Sequence, residues 1–353
     1  MPINLKELVN SVISDGASDL HLSVGLPPIF RIKKQLLVKE NFAVLTVDDI
    51  EYFMSQILTQ DQRKIFEINK ELYLSVNFGN NIRFRVTIFN QKGYPAVALR
   101  SIPFKVPDLE KLHLPPVVNH AIELKQGLIL VTGPTGQGKS TTIAGIIEKI
   151  NQTRSEHIVT IEDPIEFLFE SKKSFVQQIE LSLDTVNWTS SLKSITRIDP
   201  NIIMVGEIND FDSMLAVINL AETGHLVFST LHTNSAAQTI DRILSTCPQA
   251  IQEQIKNQLS LTLEMVISQR LIETVSNELV PATEVMLATS GTRNLIREGK
   301  IFSIDNVIST SANVGMISMD SSLADLVNTG QVALNTAIKY SLNPENLQRM
   351  IKK

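Results

Sequence analysis

Residues 133–141 read GPTGQGKST, and their types and spacing suit a phosphate cradle. Gly133, Gly138, Lys139 and Ser140 meet the pattern Gly-x-x-x-x-Gly-Lys-Ser; Pro134, Thr135, Gly136 and Gln137 lie inside it and Thr141 follows. Glycines let the backbone curl so that successive N–H groups point at a phosphate. The Lys139 ammonium adds a point charge, and the Ser140 hydroxyl is a ligand for Mg²⁺. The expected ligand is a nucleoside triphosphate.

Three other segments carry groups that could act on such a ligand. TIEDPIE places Glu162 and Asp163 at the end of an apolar run, where they could hold Mg²⁺ or orient water; a strand-end acid that caps the next helix is the alternative reading. IIMVGE ends in Glu207, the expected general base, while Gly206 stands where an Asp metal ligand is commonly found. In phosphate-loop enzymes the strand carrying such an acid lies beside the loop, and that neighbourhood is expected here. GHLVFSTLHT carries His225 and His232, whose odd spacing in a strand excludes a metal pair. His232, at the strand's C-terminal end, could sense the γ-phosphate; His225 reads as structural or interfacial. Arg83 and Arg85 alternate on a strand and Arg100 precedes a proline-rich stretch. They are solvated surface charge, or else groups that reach a neighbouring subunit's triphosphate, where such an arginine contributes on the order of 10³–10⁵ in rate.

The elements that must position these groups are legible around them. Leu128–Thr132 is a short β-prone run directly before the loop, and Ile143, Ile146, Ile147 and Ile150 recur at helical spacing directly after it. Strand, glycine loop and helix N-terminus together favour an anion. From about residue 122, the runs LILVT, IVTIED, NIIMVGE and HLVFSTLHT alternate with helical segments, which predicts a largely parallel sheet with helices on both faces. The chain beyond about 250 reads as mostly helical. Residues 1 to about 102 read as a small α+β domain. It has a helix through Leu5–Ile13, a strand at Asp19–Ser23, helices near 48–58 and 61–68, and a strand pair, Leu72–Phe78 and Ile82–Phe89, around Gly79-Asn80-Asn81. Between the domains, 103–121 reads as a semi-rigid linker carrying Pro103, Pro107, Pro115 and Pro116.

Composition sets the limits. With 353 residues, 43% hydrophobic, the chain can bury two cores. A net charge of −5 argues against nucleic acid as the main partner. The single cysteine excludes an internal disulfide and a Cys-rich zinc site, and fits a reducing cytosol. No signal peptide is read at the N-terminus, and no run approaches the ~20 apolar residues that span a bilayer.

The ordered set GASDLHL, RFRVTIFNQ, GPTGQGKSTT, TIEDPIEF, RIDPNIIMVGE, AETGHLVFSTLHTNSAAQTIDR and GTRNLIREGK resembles the secretion ATPases of type II secretion and type IV pili, in their PilT/PilU twitching-motility branch. The resemblance covers nearly the whole chain. It implies a PAS-like N-terminal α+β domain (1–102), a linker (103–121) and a RecA-like P-loop ATPase domain (122–353) with a helical C-terminal part from about 250. It implies ATP and Mg²⁺ as cofactors, an Asp box holding Glu162 and Asp163, a Walker B ending in Glu207, a His box holding His232, and Arg242 as an active-site residue of the same subunit. It further implies a homohexamer in which Arg83, Arg85 or Arg100 crosses the subunit interface. The implied partners are an inner-membrane platform protein at the pilus base and a paralogous pilus ATPase. The implied location is cytoplasmic and peripheral to that membrane, with no nucleic acid bound. The reading is a retraction motor; the alternatives are an accessory ring subunit of weak turnover and, behind it, a pilus assembly or secretion ATPase or a DNA translocase.

Three stretches depart from the family pattern. REDPD becomes Arg197-Ile198-Asp199-Pro200-Asn201, GEMRD becomes Gly206-Glu207-Ile208-Asn209-Asp210, and AIRNLI becomes Gly291-Thr292-Arg293-Asn294-Leu295-Ile296. The first two are expected near the site, where they bear on turnover; the third bears on retraction.

Overall fold

The computed structural model describes residues 5–351 apart from 33–34, 79–82, 103–105, 182, 186 and 209. The expected turn at Gly79-Asn80-Asn81, together with Pro103 and Asn209, therefore lies outside the described residues. The chain forms two compact units, Met1–Lys105 with Glu166–Leu168, and Val106–Ile165 with Phe169–Lys353.

In the first unit the strands are β1 (Asp19–Ser23), β2 (Ile29–Ile32), β3 (Gln35–Val38), β4 (Glu71–Asn77), β5 (Arg83–Gln91) and β6 (Tyr94–Ile102), and the helices are α1 (Leu5–Ser14), α2 (Val47–Ile57) and α3 (Gln60–Asn69). The strands make an antiparallel sheet in the order β3-β2-β1-β6-β5-β4. Thr46 and Thr59 start α2 and α3 with reciprocal capping boxes. Lys92 and Gly93, with φ of 52° and 84°, form the two-residue turn joining β5 to β6. Leu8 and Val12 of α1, Phe53 and Met54 of α2 and Phe66 of α3 share one core with Leu20, Phe84, Val86 and Leu99 of the strands. Strand alternation follows from that core. Phe84, Val86 and Ile88 point into it, so Arg83 and Arg85 stand half-buried on the other face.

The second unit holds β7 (Gly127–Thr132), β8 (His157–Glu162), β9 (Phe175–Glu180), β10 (Ile202–Val205), β11 (Leu226–Leu231), β12 (Leu263–Glu273) and β13 (Leu279–Leu287). Its helices are α4 (His120–Glu123), α5 (Lys139–Thr153), α6 (Trp188–Ile195), α7 (Phe211–Glu222), α8 (Ala236–Thr246), α9 (Gln252–Thr262), α10 (Ser290–Glu298), α11 (Ile304–Thr310), α12 (Met319–Asn328), α13 (Leu334–Tyr340) and α14 (Pro344–Met350). The sheet order is β13-β12-β7-β11-β10-β8-β9, parallel except for the β12–β13 pair. Every residue of β7, β10 and β11 is buried, as strands covered on both faces must be. Leu192, Val217, Ile240, Leu259 and Ile296, from α6 through α10, fill the core on one face. Ile143, Ile146, Ile147 and Ile150 of α5 fill that on the other. Each fully buried isoleucine contributes about 1.5–3 kcal/mol of transfer free energy.

Two expectations are corrected. The strand leading to Glu207, β10, does not neighbour the loop strand: β11 lies between them. Crossover connections let a later strand insert between earlier ones, so order along the chain does not set order across the sheet. The region beyond 250 is not mainly helical at its start, since β12 and β13 occupy much of residues 263–287 before the helices α10 to α14. The run LEMVISQRLIE is buried on both faces over most of its length, so it shows no strand alternation to read. The exposed β3, the half-buried β9, and β2 and β6 are further strands beyond those expected from the sequence pattern.

Candidate nucleotide site

Parallel pairing brings the C-terminal ends of β7, β11, β10 and β8 to one edge of the sheet. Ile161 pairs with Val205, Val205 with Ser229, and Leu231 with Thr132, so the residues just beyond these positions emerge together. Those residues are Glu162, Gly206-Glu207, His232 and the loop from Gly133.

The loop curls through three glycines with positive φ: Gly133 at 145°, Gly136 at 77° and Gly138 at 81°. At Gly133 a Cβ would come within 2.3 Å of the Gln269 carbonyl oxygen, a clash no backbone tolerates, so this glycine is required by close packing as well as by conformation. Pro134, Thr135 and Gly136 form the exposed crest; Ser140 and Thr141 lie half-buried in the first turn of α5. Lys139 is 8% exposed and folds back over the loop, its Nζ donating to Gly133 O (2.7 Å) and Pro134 O (3.1 Å).

The third contact of Lys139 reaches the other strand ends. Its Nζ lies 3.2 Å from His232 Nδ1, and His232 Nε2 lies 2.8 Å from Glu207 Oε1. An ammonium has only donors and a carboxylate only acceptors, so the imidazole between them accepts at Nδ1 and donates at Nε2. The tautomer follows from its partners. The turn carrying Glu207 is fastened to both flanking strands: Gly206 N donates to Ile161 O (2.9 Å), and Thr230 Oγ1 donates to Gly206 O (2.7 Å). Gly206 itself leaves room for a side chain, since a Cβ there would meet its neighbours at 3.5 Å or more.

Glu162 is 4% exposed, and its Oε1 accepts from Thr160 Oγ1 (2.7 Å) and Gln178 Nε2 (3.1 Å). Glu180, on β9, accepts the Ile165 N–H at 3.1 Å and so steadies the chain just after Asp163. Gln178 and Glu180 are not signalled by the sequence because their strand, β9, carries no motif, and Thr160 heads the TIED run without any sign that it would hold Glu162. Arg242, on α8, is exposed and lines a cavity of about 400 Å³ with His232, Thr233, Asp210 and Met214. His225 sits outside this group: its Nδ1 lies 2.9 Å from Leu220 O, at the opposite end of β11.

The arginines of the first unit form a row. Strand registers align Arg31, Asp19, Arg100 and Arg85 across β2, β1, β6 and β5, with Arg83 two residues from Arg85. Burial alone would raise the Asp19 carboxyl, but hydrogen bonds from Arg100 (Nε to Oδ1, 2.7 Å) and Ser18, with the charges of Arg100 and Arg31, hold it below the usual carboxylate range.

Of the departing stretches, Asn201 does not lie near the site. Its Oδ1 accepts from His157 N (2.8 Å) and it precedes β10, at the edge of the sheet opposite Glu207. Thr292 is fully buried in the first turn of α10, where its Oγ1 donates to Leu287 O (3.0 Å), and Arg293 donates to the carbonyls of Ser260 and Leu261 at the end of α9 (2.9 Å each).

Known proteins resemble the chain in sequence and fold. The model of the Type II/IV secretion system protein family matches residues 2–319. The type IV pilus retraction ATPase PilT of Pseudomonas aeruginosa is 41% identical over 344 residues, covering 98% of this chain and all of that protein. The type IV pilus ATPase PilU of the same organism is 31% identical, covering 99% of this chain and 92% of its own. The crystal structure of the pilus retraction motor PilT with bound ADP superposes with a TM-score of 0.92 at 41% identity, covering 98% of this chain and 99% of the other. The chain belongs to the Type II/IV secretion system protein family, among its PilT-type retraction ATPases.

Proposed function

We propose that this chain hydrolyses ATP as a homohexamer and uses the energy to retract type IV pili. The observation that carries the chemistry is the hydrogen-bonded chain from Lys139 through His232 to Glu207 at the mouth of the phosphate loop. Loop amides and Lys139 hold the phosphates. Glu207 takes the proton of the attacking water, and His232, touching both, reports whether a γ-phosphate has drawn Lys139 away from the loop carbonyls.

The residues fit Mg²⁺. Ser140 offers a hydroxyl in the first turn of α5, and Glu162 is a buried, hydrogen-bonded carboxylate beside Asp163. No group of three or more acidic, His or Cys residues suited to a metal occurs among the described residues. That agrees with an ion held by one or two protein oxygens and the phosphates themselves. When bound, Mg²⁺ would be held by Ser140 with Glu162 or Asp163 and would neutralise negative charge on the phosphates.

Asp19 occupies Arg100 and Arg31, and Arg83 and Arg85 flank this pair on β5. These four arginines, set against Asp19 and against Glu166, which lies 3.7 Å from Arg85, suit a neighbour's triphosphate, and Arg242 serves the site of its own subunit. No described helix is long and apolar enough to cross a membrane. In this reading, attachment at the pilus base, on the cytoplasmic side, runs through an inner-membrane platform protein, with a paralogous pilus ATPase as a further partner. An accessory subunit with slow turnover is the second reading, supported by the Gly291-Thr292 start of α10.

Cells deprived of this chain should carry pili that extend but do not retract. Restoring the wild-type chain should restore retraction, and Lys139→Ala should not. Unchanged retraction in the deprived cells would contradict the proposal.

A further inference from the structure

Gln269 lies inside β12 and is 4% exposed, and nothing in the chemistry above uses it. Its carboxamide nevertheless joins the end of the phosphate loop to the first turn of α5. Nε2 donates to Gln137 O (2.9 Å), and Oε1 accepts from Thr142 Oγ1 in α5 (2.7 Å). Two residues along, Leu271 N donates to Gln137 Oε1 (2.6 Å), and the Leu271 side chain lies within 3.9 Å of a Cβ built on Gly138. The backbone of Gln269 closes on the loop's start: its carbonyl is the atom that a Cβ on Gly133 would strike. A Cβ on Gly138 would meet Gln269 Nε2 at 2.8 Å. β12 therefore grips the loop at Gly133, at Gln137 and at Gly138.

The bond to Gln137 O has a geometric consequence. A trans peptide sends its C=O and its N–H to opposite sides. Holding the Gln137 carbonyl against β12 turns the Gly138 N–H away from that strand, next to Lys139. We propose that Gln269 is a positioning residue of the phosphate loop, fixing the Gln137–Gly138 peptide in the orientation that nucleotide binding needs. This rests on the reading of the loop as a nucleotide site. It assigns ligand affinity to a side chain that never touches the ligand, through a bond that water cannot replace in so closed a place.

The test is the dissociation constant of ADP together with KM and kcat for ATP, measured on the full chain, with the melting temperature of the nucleotide-free protein recorded alongside. Gln269→Met should raise the ADP dissociation constant and KM about tenfold while kcat stays within about threefold. Gln269→Glu keeps an acceptor for Thr142 but sets an oxygen against Gln137 O, and should weaken binding by about a hundredfold. Thr142→Val, which removes only the second bond, should shift affinity by less than about threefold. If the Gln269 variants do not fold, Gln137→Ala, which removes the acceptor of Leu271 N, should still raise the ADP constant several-fold. A lowered melting temperature with unchanged affinity would overturn the proposal, as would unchanged affinity in Gln137→Ala. Wild-type protein that binds no ADP would instead overturn the nucleotide reading itself.

Discussion

At His232 one imidazole stands between an ammonium and a carboxylate, 3.2 Å from Lys139 Nζ and 2.8 Å from Glu207 Oε1. Replacing it with alanine leaves Lys139 on the Gly133 and Pro134 carbonyls and leaves Glu207 without its donor. His232→Ala should therefore lower kcat by about 10²-fold with little change in ADP affinity, read from steady-state hydrolysis beside an ADP titration. A loss confined to affinity would show that the histidine only shapes the pocket. The loop, Glu162, Glu207 and His232 were legible because each closes an apolar run. Gln178, Glu180 and Gln269 were not, since a lone amide or acid inside a strand announces nothing until its partner across the sheet is known.

At the scale of elements, β13 links two helix starts. Glu284 is 3% exposed, and its carboxylate accepts the Ala236 N–H at 2.8 Å, at the start of α8, and a backbone N–H of Met319, at the start of α12. Burial pushes it up from 4.5 to about 7, helped by the charges of Asp305 and Asp320 and opposed by those two amides. The folded state thus binds a proton that the unfolded chain releases near 4.5, so stability is full below that value and falls as pH rises toward 7. Relative to Glu284→Gln, the wild-type chain should lose on the order of 3 kcal/mol between pH 4.5 and 7.5, measured by chemical denaturation. A difference that does not change with pH would contradict this. The same region marks the limit of pattern reading. The helices α1 to α3, α5 and the strands β1, β4, β5 and β7 follow from periodicity, capping and the glycine loop. β12 and β13 do not, because burial on both faces removes the alternation that would identify a strand.

For the whole molecule, the ordered motifs gave the family and the mixed α/β class, and the position of β11 between β7 and β10 had to come from the structure. That insertion matters for the proposed function. It brings His232, from the strand beside the loop, between Lys139 and Glu207, so that in the proposed mechanism an event at the γ-phosphate would reach Glu207 through one side chain. The departures of sequence are likewise unequal in three dimensions. Asn201 faces away from the site at the far edge of the sheet, whereas Arg293 fastens α10 to the end of α9. The most direct measurement is Mg²⁺-dependent ATP hydrolysis by the purified chain beside Glu207→Gln, with oligomer size recorded in the same samples. A hexamer whose kcat falls by about 10²–10⁴-fold in the variant, with ADP still bound, is the predicted result. Equal rates in the two proteins would contradict the assignment of Glu207 as the base, and equal but negligible rates would make this chain an accessory subunit of another motor.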